Sequence, residues 1–117
     1  MFAHVMAGLV AFEHLYILVL EMFLWTTPRG RRVFGLTVED AERTKVLAAN
    51  QGLYNGFLAA GLIASFFVAD GRAFRLFFFG CVLVAGLYGG ATAGAAAKKI
   101  LVIQALPAAI GLLAVLL

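Results

Sequence analysis

Apolar residues occur along the chain in four long runs, which short charged stretches separate. The runs cover about residues 3–25, 46–69, 74–94 and 100–117. A helix rises about 1.5 Å per residue and the hydrocarbon core of a bilayer is about 30 Å thick, so roughly 20 residues are enough to cross it. The pattern predicts an all-α protein, a four-helix transmembrane bundle that forms one membrane domain over the whole chain.

The residues before the second apolar run predict a helix that starts outside the apolar layer. Thr37 stands three residues before Asp40, a spacing that resembles a capping box. Glu39 and Glu42 place negative charge near the positive end of the helix that follows. We therefore expect a short amphipathic extension before helix two, over residues 38–45.

Composition supports a membrane location. Of the 117 residues, 64% are hydrophobic and only 13% are charged, and the mean hydropathy is +1.03, which is too apolar for a soluble domain. Cys81 is the only cysteine, so neither an intrachain disulfide nor a thiolate metal site is expected. No metal and no cofactor are predicted, and no motif fixes a catalytic residue.

The basic residues are distributed unevenly between the loops. Loops one and three, which share one side of the membrane, hold seven of them, Arg29, Arg31, Arg32, Arg43, Lys45, Lys98 and Lys99, whereas the opposite loop holds Arg72 and Arg75. Because basic loops stay in the cytoplasm, both termini are predicted on the outer face. The positive charge needs no nucleic-acid partner to explain it, and membrane lipid is the expected partner.

Ten of the polar side chains within the apolar runs form the candidate site. They are Glu13, His14, Tyr16 and Glu21 on helix one, Asn50, Gln51, Tyr54 and Asn55 on helix two, Tyr88 on helix three and Gln104 on helix four. An ionisable group inside the membrane costs about 2.5 to 3.5 kcal/mol on insertion scales, so it is usually retained for pairing or function.

The depths of these side chains match between helices. Counted from the cytoplasmic edge, Glu21 and the amides at 50, 51 and 104 lie roughly 6 to 8 Å deep, while Glu13, His14 and Asn55 lie roughly 14 to 18 Å deep. One interpretation is a hydrogen-bonded core, in which each bond contributes about 0.6 kcal/mol. The other is a ligand site or proton relay, for which Glu13 and His14 are the strongest candidates.

Small residues recur at every fourth position in two helices, at Ala48, Gly52, Gly56 and Ala60 and at Gly86, Gly90 and Gly94. Such stripes allow helix backbones to approach closely in lipid. The spacing leaves open whether they pack within one chain or form a homo-oligomer.

Several segments together resemble the Domain of Unknown Function 1304 family of small bacterial membrane proteins. The resembling segments are EHLYILVLEMFLWTTPRGRRVFGL (13–36), KVLAANQGLYNGFLAAGL (45–62), FFFGCVLVAGLYG (77–89) and QALPA (104–108). The resemblance implies a multi-pass protein with four spans in the bacterial inner membrane. It transfers no catalytic role to any residue.

Three functions are compatible with these features. The preferred hypothesis is a protein that binds or transports a small polar or amphipathic ligand in an intramembrane cavity, with proton coupling through Glu13. One alternative is a membrane enzyme acting on a lipid or quinone, in which Glu13, His14 and Glu21 act as acid and base or as metal ligands. The other is a structural or accessory subunit without chemistry of its own.

Overall fold

The structure, a computed structural model, describes every residue of the chain, Met1–Leu117. It consists of helices and turns without strands, which confirms the predicted all-α class. The helices are α1 (Phe2–Met22), α2 (Pro28–Phe34), α3 (Val38–Ala64), α4 (Gly71–Thr92), α5 (Ala97–Ile100) and α6 (Leu106–Leu116). A 3-10 turn at Gly94–Ala96 leads into α5, and a π-helical turn at Leu101–Ala105 connects α5 to α6. These segments form one continuous helix, Gly94–Leu116.

Three of these helices are long and apolar enough to cross a bilayer. They are α1, α4 and the final helix Gly94–Leu116, with 21, 22 and 23 residues. Many of their large apolar side chains are exposed, as expected for helices whose solvent is lipid. The remaining predicted span, the second apolar run at residues 46–69, belongs to α3, which has 27 residues but includes charged first turns and three amides. Its crossing stays a prediction.

The extension before helix two is confirmed, because α3 begins at Val38, well before its apolar run. The hydroxyl of Thr37 accepts a hydrogen bond from the backbone N–H of Asp40 (3.1 Å), as a capping residue does. The Asp40 carboxylate in turn pairs with Arg43 (2.6 Å). The cap and the ion pair explain why the helix starts at this point.

The apolar pattern does not predict the short helix α2. Thr27 caps it by accepting a hydrogen bond from the backbone N–H of Gly30 (3.3 Å), and Pro28 is its first residue. Gly35 ends it in the left-handed conformation, with φ of 65°. A threonine and proline at the start and a glycine after the end are typical helix signals, so the residues do carry the information.

Residues 1–11 and 58–117 form one compact unit, and residues 12–57 form another. The first unit has an apolar core built from α1, α3, α4 and α6, which consists of Met6, Ala7, Val10, Ala11, Leu62, Phe79, Val82 and Ala108. Phe79 is fully buried, and its ring occupies the space beside Gly111. Since lipid is as apolar as this core, close packing rather than escape from water stabilises it.

The predicted stripe on α4 lies at a close helix contact. A Cβ on Gly86 would lie 2.7 Å from the backbone nitrogen of Ala105, and Gly90 faces the side chain of Leu101. Here α4 and the final helix pack within the chain, as small residues allow. The prediction that Gly94 belongs to this stripe is wrong. Gly94 lies beyond α4 in a turn with φ of 58° and has no neighbour at its Cβ position.

The turn between α3 and α4 is held by side-chain hydrogen bonds. The Ser65 hydroxyl donates to a carbonyl in the last turn of α3 (2.6 Å), and the Asp70 carboxylate caps α4 by accepting a backbone N–H (3.1 Å). Arg75 donates to the carbonyl of Ser65 (3.1 Å). These bonds explain why α3 ends at Ala64 although the apolar run continues to residue 69.

A π-helical turn, Leu101–Ala105, ends two residues before Pro107 in the final helix. A proline has no backbone N–H, so one carbonyl in the preceding turn loses its helical partner. The backbone N–H of Leu106 reaches the carbonyl of Leu101, five residues earlier. A wide turn of this kind is one way in which a helix accommodates a missing donor.

Candidate functional site

In the unit of residues 12–57, α1 and α3 approach each other through two glycines. A Cβ on Gly52 would lie 2.6 Å from Cγ of Met22 and 3.0 Å from Cβ of Glu21. A Cβ on Gly56 would lie 2.7 Å from Cδ1 of Leu18. The centre of the predicted stripe on α3 therefore packs against α1 of the same chain.

The two outer members of the α3 stripe differ. Ala48 is buried, whereas Ala60 is exposed and does not belong to a packing face. Its neighbour Gly61 provides the close contact at that level, against the ring of Phe78. A homo-oligomer stays a prediction, and it would need surface other than the glycines already covered within the chain.

The close approach at Gly52 brings a carboxylate and an amide together. Glu21 is only 8% exposed, and its Oε1 accepts a hydrogen bond from Nδ2 of Asn55 at 2.5 Å. The same nitrogen also donates to the backbone carbonyl of Gln51 (3.3 Å). Gly52 and Asn55 are three residues apart and thus share a face of α3. The glycine provides the space that lets the amide reach the carboxylate.

An open groove of about 380 Å³ lies beside this pair, between the end of α1 and the start of the apolar part of α3. It is lined by Glu21, Met22, Phe23, Trp25, Thr26, Lys45, Val46 and Ala49. The groove therefore combines one buried carboxylate, one ammonium group, an indole ring and several apolar side chains.

Two of the groove residues are held in place by neighbours. The indole Nε1 of Trp25 donates to the hydroxyl of Thr44 (3.0 Å), and the Trp25 ring lies 4.7 Å from that of Phe34. The ammonium of Lys45 pairs with Glu42 (2.7 Å). The indole wall is thus fixed by contacts to both α2 and α3.

Glu13 and His14 lie deeper along α1. His14 is 1% exposed, and Oε2 of Glu13 is buried without a hydrogen-bond partner. No three histidine, cysteine, aspartate or glutamate side chains come together in a group that would hold a metal ion. Glu13 and His14 therefore place buried polar groups on α1, and they do not belong to a cluster of potential metal ligands.

The structure does not bring the remaining predicted residues to the groove. Five of the predicted set are exposed, namely Tyr16, Asn50, Gln51, Tyr54 and Tyr88. Tyr88 and the half-buried Gln104 belong to the other compact unit. The spacing of polar residues along a helix does not show how the helix is rotated about its axis. For this reason these side chains were predicted to belong to the same site as Glu21 and Asn55.

Sequence reasoning did not assign Thr44 or Lys45 to a site. Thr44 accepts a hydrogen bond from Trp25, which is 19 residues away in the sequence, and no local motif predicts that contact. Lys45 was counted only as a loop charge, although it directly precedes the apolar run and so lies at the level of the groove.

Three apolar helices of spanning length define an integral α-helical membrane protein, and one of them, α1, carries buried carboxyl groups at Glu13 and Glu21. The chain belongs to the family described as "Protein of unknown function (DUF1304)", whose model matches residues 8–116. This match confirms the family resemblance of the sequence.

A relative from Lactococcus lactis subsp. lactis (strain IL1403), described as "Uncharacterized protein YpaA", is 38% identical over 104 residues. The aligned region covers 86% of this chain and 84% of the relative. No solved structure matches the chain.

Proposed function

We propose that the protein binds a small amphipathic cation in the groove beside Glu21, as the binding step of a carrier in the bacterial inner membrane. The observation that carries the proposal is a buried carboxylate at the side of an open groove with an indole wall. Binding sites of this kind combine mostly apolar walls with a few placed polar groups.

The chemistry of the lining favours a cation with an apolar tail. Asn55 donates one hydrogen bond to Oε1 of Glu21, so the carboxylate retains acceptor capacity for a ligand. The face of Trp25 attracts cations. Phe23 and Val46 are exposed apolar side chains that would contact the tail. Lys45 is already paired with Glu42, which reduces its repulsion of a cationic ligand.

The proposed topology places the groove near the cytoplasm. Four crossings, with α3 as the second span, put loops one and three on the same side, and the seven basic residues of these loops favour the cytoplasm. Both termini are then outside. Arg72 and Arg75, the basic residues of the opposite loop, donate to the carbonyls of Val115 and Ser65, so they serve local structure there.

The proposed route of a proton runs along α1. His14 precedes Glu21 by seven residues, nearly two turns, so both lie on one face, and both are buried. Glu13 is adjacent to His14 and has a carboxylate oxygen without a partner. In this proposal Glu21 holds the cation and Glu13 exchanges the proton.

Glu21→Gln is expected to weaken binding of decylammonium by roughly tenfold or more, because a hydrogen bond to a charged group contributes about 1.5 to 3 kcal/mol. A glutamine oxygen can still accept the Asn55 hydrogen bond, so the fold should be retained. Trp25 is the only tryptophan and lines the groove, so its emission in lipid nanodiscs measures binding.

The matched control is Glu39→Gln, which removes the same charge from an exposed position in the first turn of α3. This variant should bind the cation as the wild type does. Decanol, which lacks the charge, should bind with the same affinity to the wild type and to both variants. Equal affinity of the wild type and Glu21→Gln for the cation would reject the proposal. Absence of binding to the wild type would also reject it and would favour an accessory subunit.

Glu13→Gln is expected to make cation binding less dependent on pH while leaving the fold intact. When binding of the cation releases one proton from Glu21 and one from Glu13, the slope of log affinity against pH approaches about two, and removal of Glu13 lowers it toward about one. Titrations of Trp25 emission at several pH values measure the slope. An unchanged slope in Glu13→Gln would reject the role of Glu13 but not that of Glu21.

A further inference from the structure

One side of α1 in the unit of residues 12–57 is continuously exposed. Phe12, Tyr16, Val19 and Phe23 follow each other at intervals of three or four residues, and their exposed fractions are 71%, 38%, 40% and 69%. Residues at these intervals share one face of a helix. An exposed apolar stripe on a spanning helix is a surface for acyl chains. We refer to these four residues as the acyl stripe.

An arginine from α2 reaches back to this stripe. Nη2 of Arg29 donates to the hydroxyl of Tyr16 at 2.7 Å, and the guanidinium carbon lies 5.7 Å from the centre of the tyrosine ring. Tyr16 precedes the end of α1 at Met22 by six residues, or about 9 Å. The charge of Arg29 therefore lies beside the apolar stripe, about 9 Å along the helix axis from the end of α1.

The positive charge of Arg29 is not neutralised by the chain. The ion pairs of the molecule are Asp40–Arg43 and Glu42–Lys45, so neither Arg29 nor Arg32 has a carboxylate partner. Arg32 is three residues from Arg29 on α2, is exposed, and shares its face. A guanidinium has five N–H donors, and one hydrogen bond to Tyr16 leaves others free for an anion.

We propose that Arg29 and Arg32 bind the phosphate of an anionic phospholipid, with an acyl chain of that lipid along the acyl stripe. Guanidinium groups bind phosphate oxygens through paired N–H donors. Tyr16 positions Arg29 for this contact, because its hydroxyl accepts one N–H and its ring lies beside the guanidinium. The lipid site shares Phe23 with the groove beside Glu21, whereas Tyr16, Arg29 and Arg32 do not line that groove.

A lipid fits this site better than a free phosphate because the arginines and the acyl stripe lie next to each other. The charge sits on Tyr16, which is itself a member of the acyl stripe, so a molecule with a phosphate and an apolar chain contacts both at once. Inorganic phosphate gains only the contact with the arginines. The site therefore predicts that retention of a lipid depends both on the charge of its headgroup and on the presence of an acyl chain.

Native mass spectrometry of protein released from nanodiscs of equal parts phosphatidylglycerol and phosphatidylcholine tests this site. The wild type should retain phosphatidylglycerol preferentially. Arg29→Gln should lower the retained phosphatidylglycerol about fivefold, as expected for one basic side chain at an anionic surface. Tyr16→Phe, which keeps the ring and loses the hydroxyl, should lower it by less.

The matched control is Arg43→Gln, which removes an arginine from the same loop, where it already pairs with Asp40. It should retain phosphatidylglycerol like the wild type. Equal retention by Arg29→Gln and Arg43→Gln would overturn the proposal, as would equal retention of both lipids by the wild type. Displacement of the lipid by inorganic phosphate alone would overturn the role of the acyl stripe. An unchanged circular-dichroism spectrum and melting temperature of Arg29→Gln show that the variant is folded.

Discussion

Replacing Gly30 by alanine is expected to destabilise the protein by about 3 kcal/mol and to displace the turn that carries Trp25. A Cβ at this position would overlap the carbonyl group of Leu24 and lie 3.0 Å from Cα of Trp25. These are backbone atoms, which cannot move aside as a flexible side chain can. Either α2 leaves the end of α1 or the turn before it changes its path.

Thermal unfolding in detergent, followed by circular dichroism and by Trp25 emission, measures this effect. The emission maximum of the folded variant should shift because the indole loses its hydrogen bond to Thr44 and its contact with Phe34. Gly8→Ala is the control, since a Cβ on Gly8 meets nothing within 4 Å. A stable Gly30→Ala variant with wild-type emission would contradict the close contact at the turn.

Replacing Gly86 by alanine is expected to cost about 2 to 3 kcal/mol, because the added methyl group must separate α4 from the final helix. Its contacts would be the backbone nitrogen of Ala105 at 2.7 Å and the Cα at 3.0 Å. The change belongs to the unit formed by residues 1–11 and 58–117. Trp25 lies in the other unit, so its emission in the folded state should change little.

Gly80→Ala on the same helix provides the comparison for Gly86. A Cβ on Gly80 meets nothing within 4 Å, and alanine is favoured over glycine in a helix by about 0.5 to 1 kcal/mol. The control should therefore unfold at the wild-type temperature or slightly above it. Similar melting temperatures for the two alanine variants would contradict the packing of Gly86 on Ala105.

The helices were largely predictable from the sequence because the bilayer imposes one strong requirement. A membrane-spanning segment must satisfy its backbone internally and present apolar side chains to lipid, so the apolar runs locate α1, α4 and the final helix. The boundaries depend on single side chains instead. Asp70 starts α4 and Thr27 starts α2, and an average over hydropathy is insensitive to either residue.

The candidate site was harder to predict than the helices. The predicted depths group Glu21 with the amides at 50, 51 and 104 and group Asn55 with Glu13 and His14, whereas the structure joins Glu21 to Asn55 by a hydrogen bond. The rotation of each helix about its axis determines which of the other polar side chains face the site. Close packing at positions such as Gly52 against Met22 sets this rotation. The exposed positions of Gln51 and Tyr54 follow from that rotation. Nothing in their own sequence neighbourhood reveals it.

The π-helical turn at Leu101–Ala105 has a consequence for chain length. It holds one residue more than an α-helical turn, and each residue rotates an α-helix by about 100°. Deleting that residue would swing the remainder of the final helix by this angle and turn Gly111 away from Phe79. We therefore expect related chains to tolerate exchange of side chains here more readily than insertions or deletions.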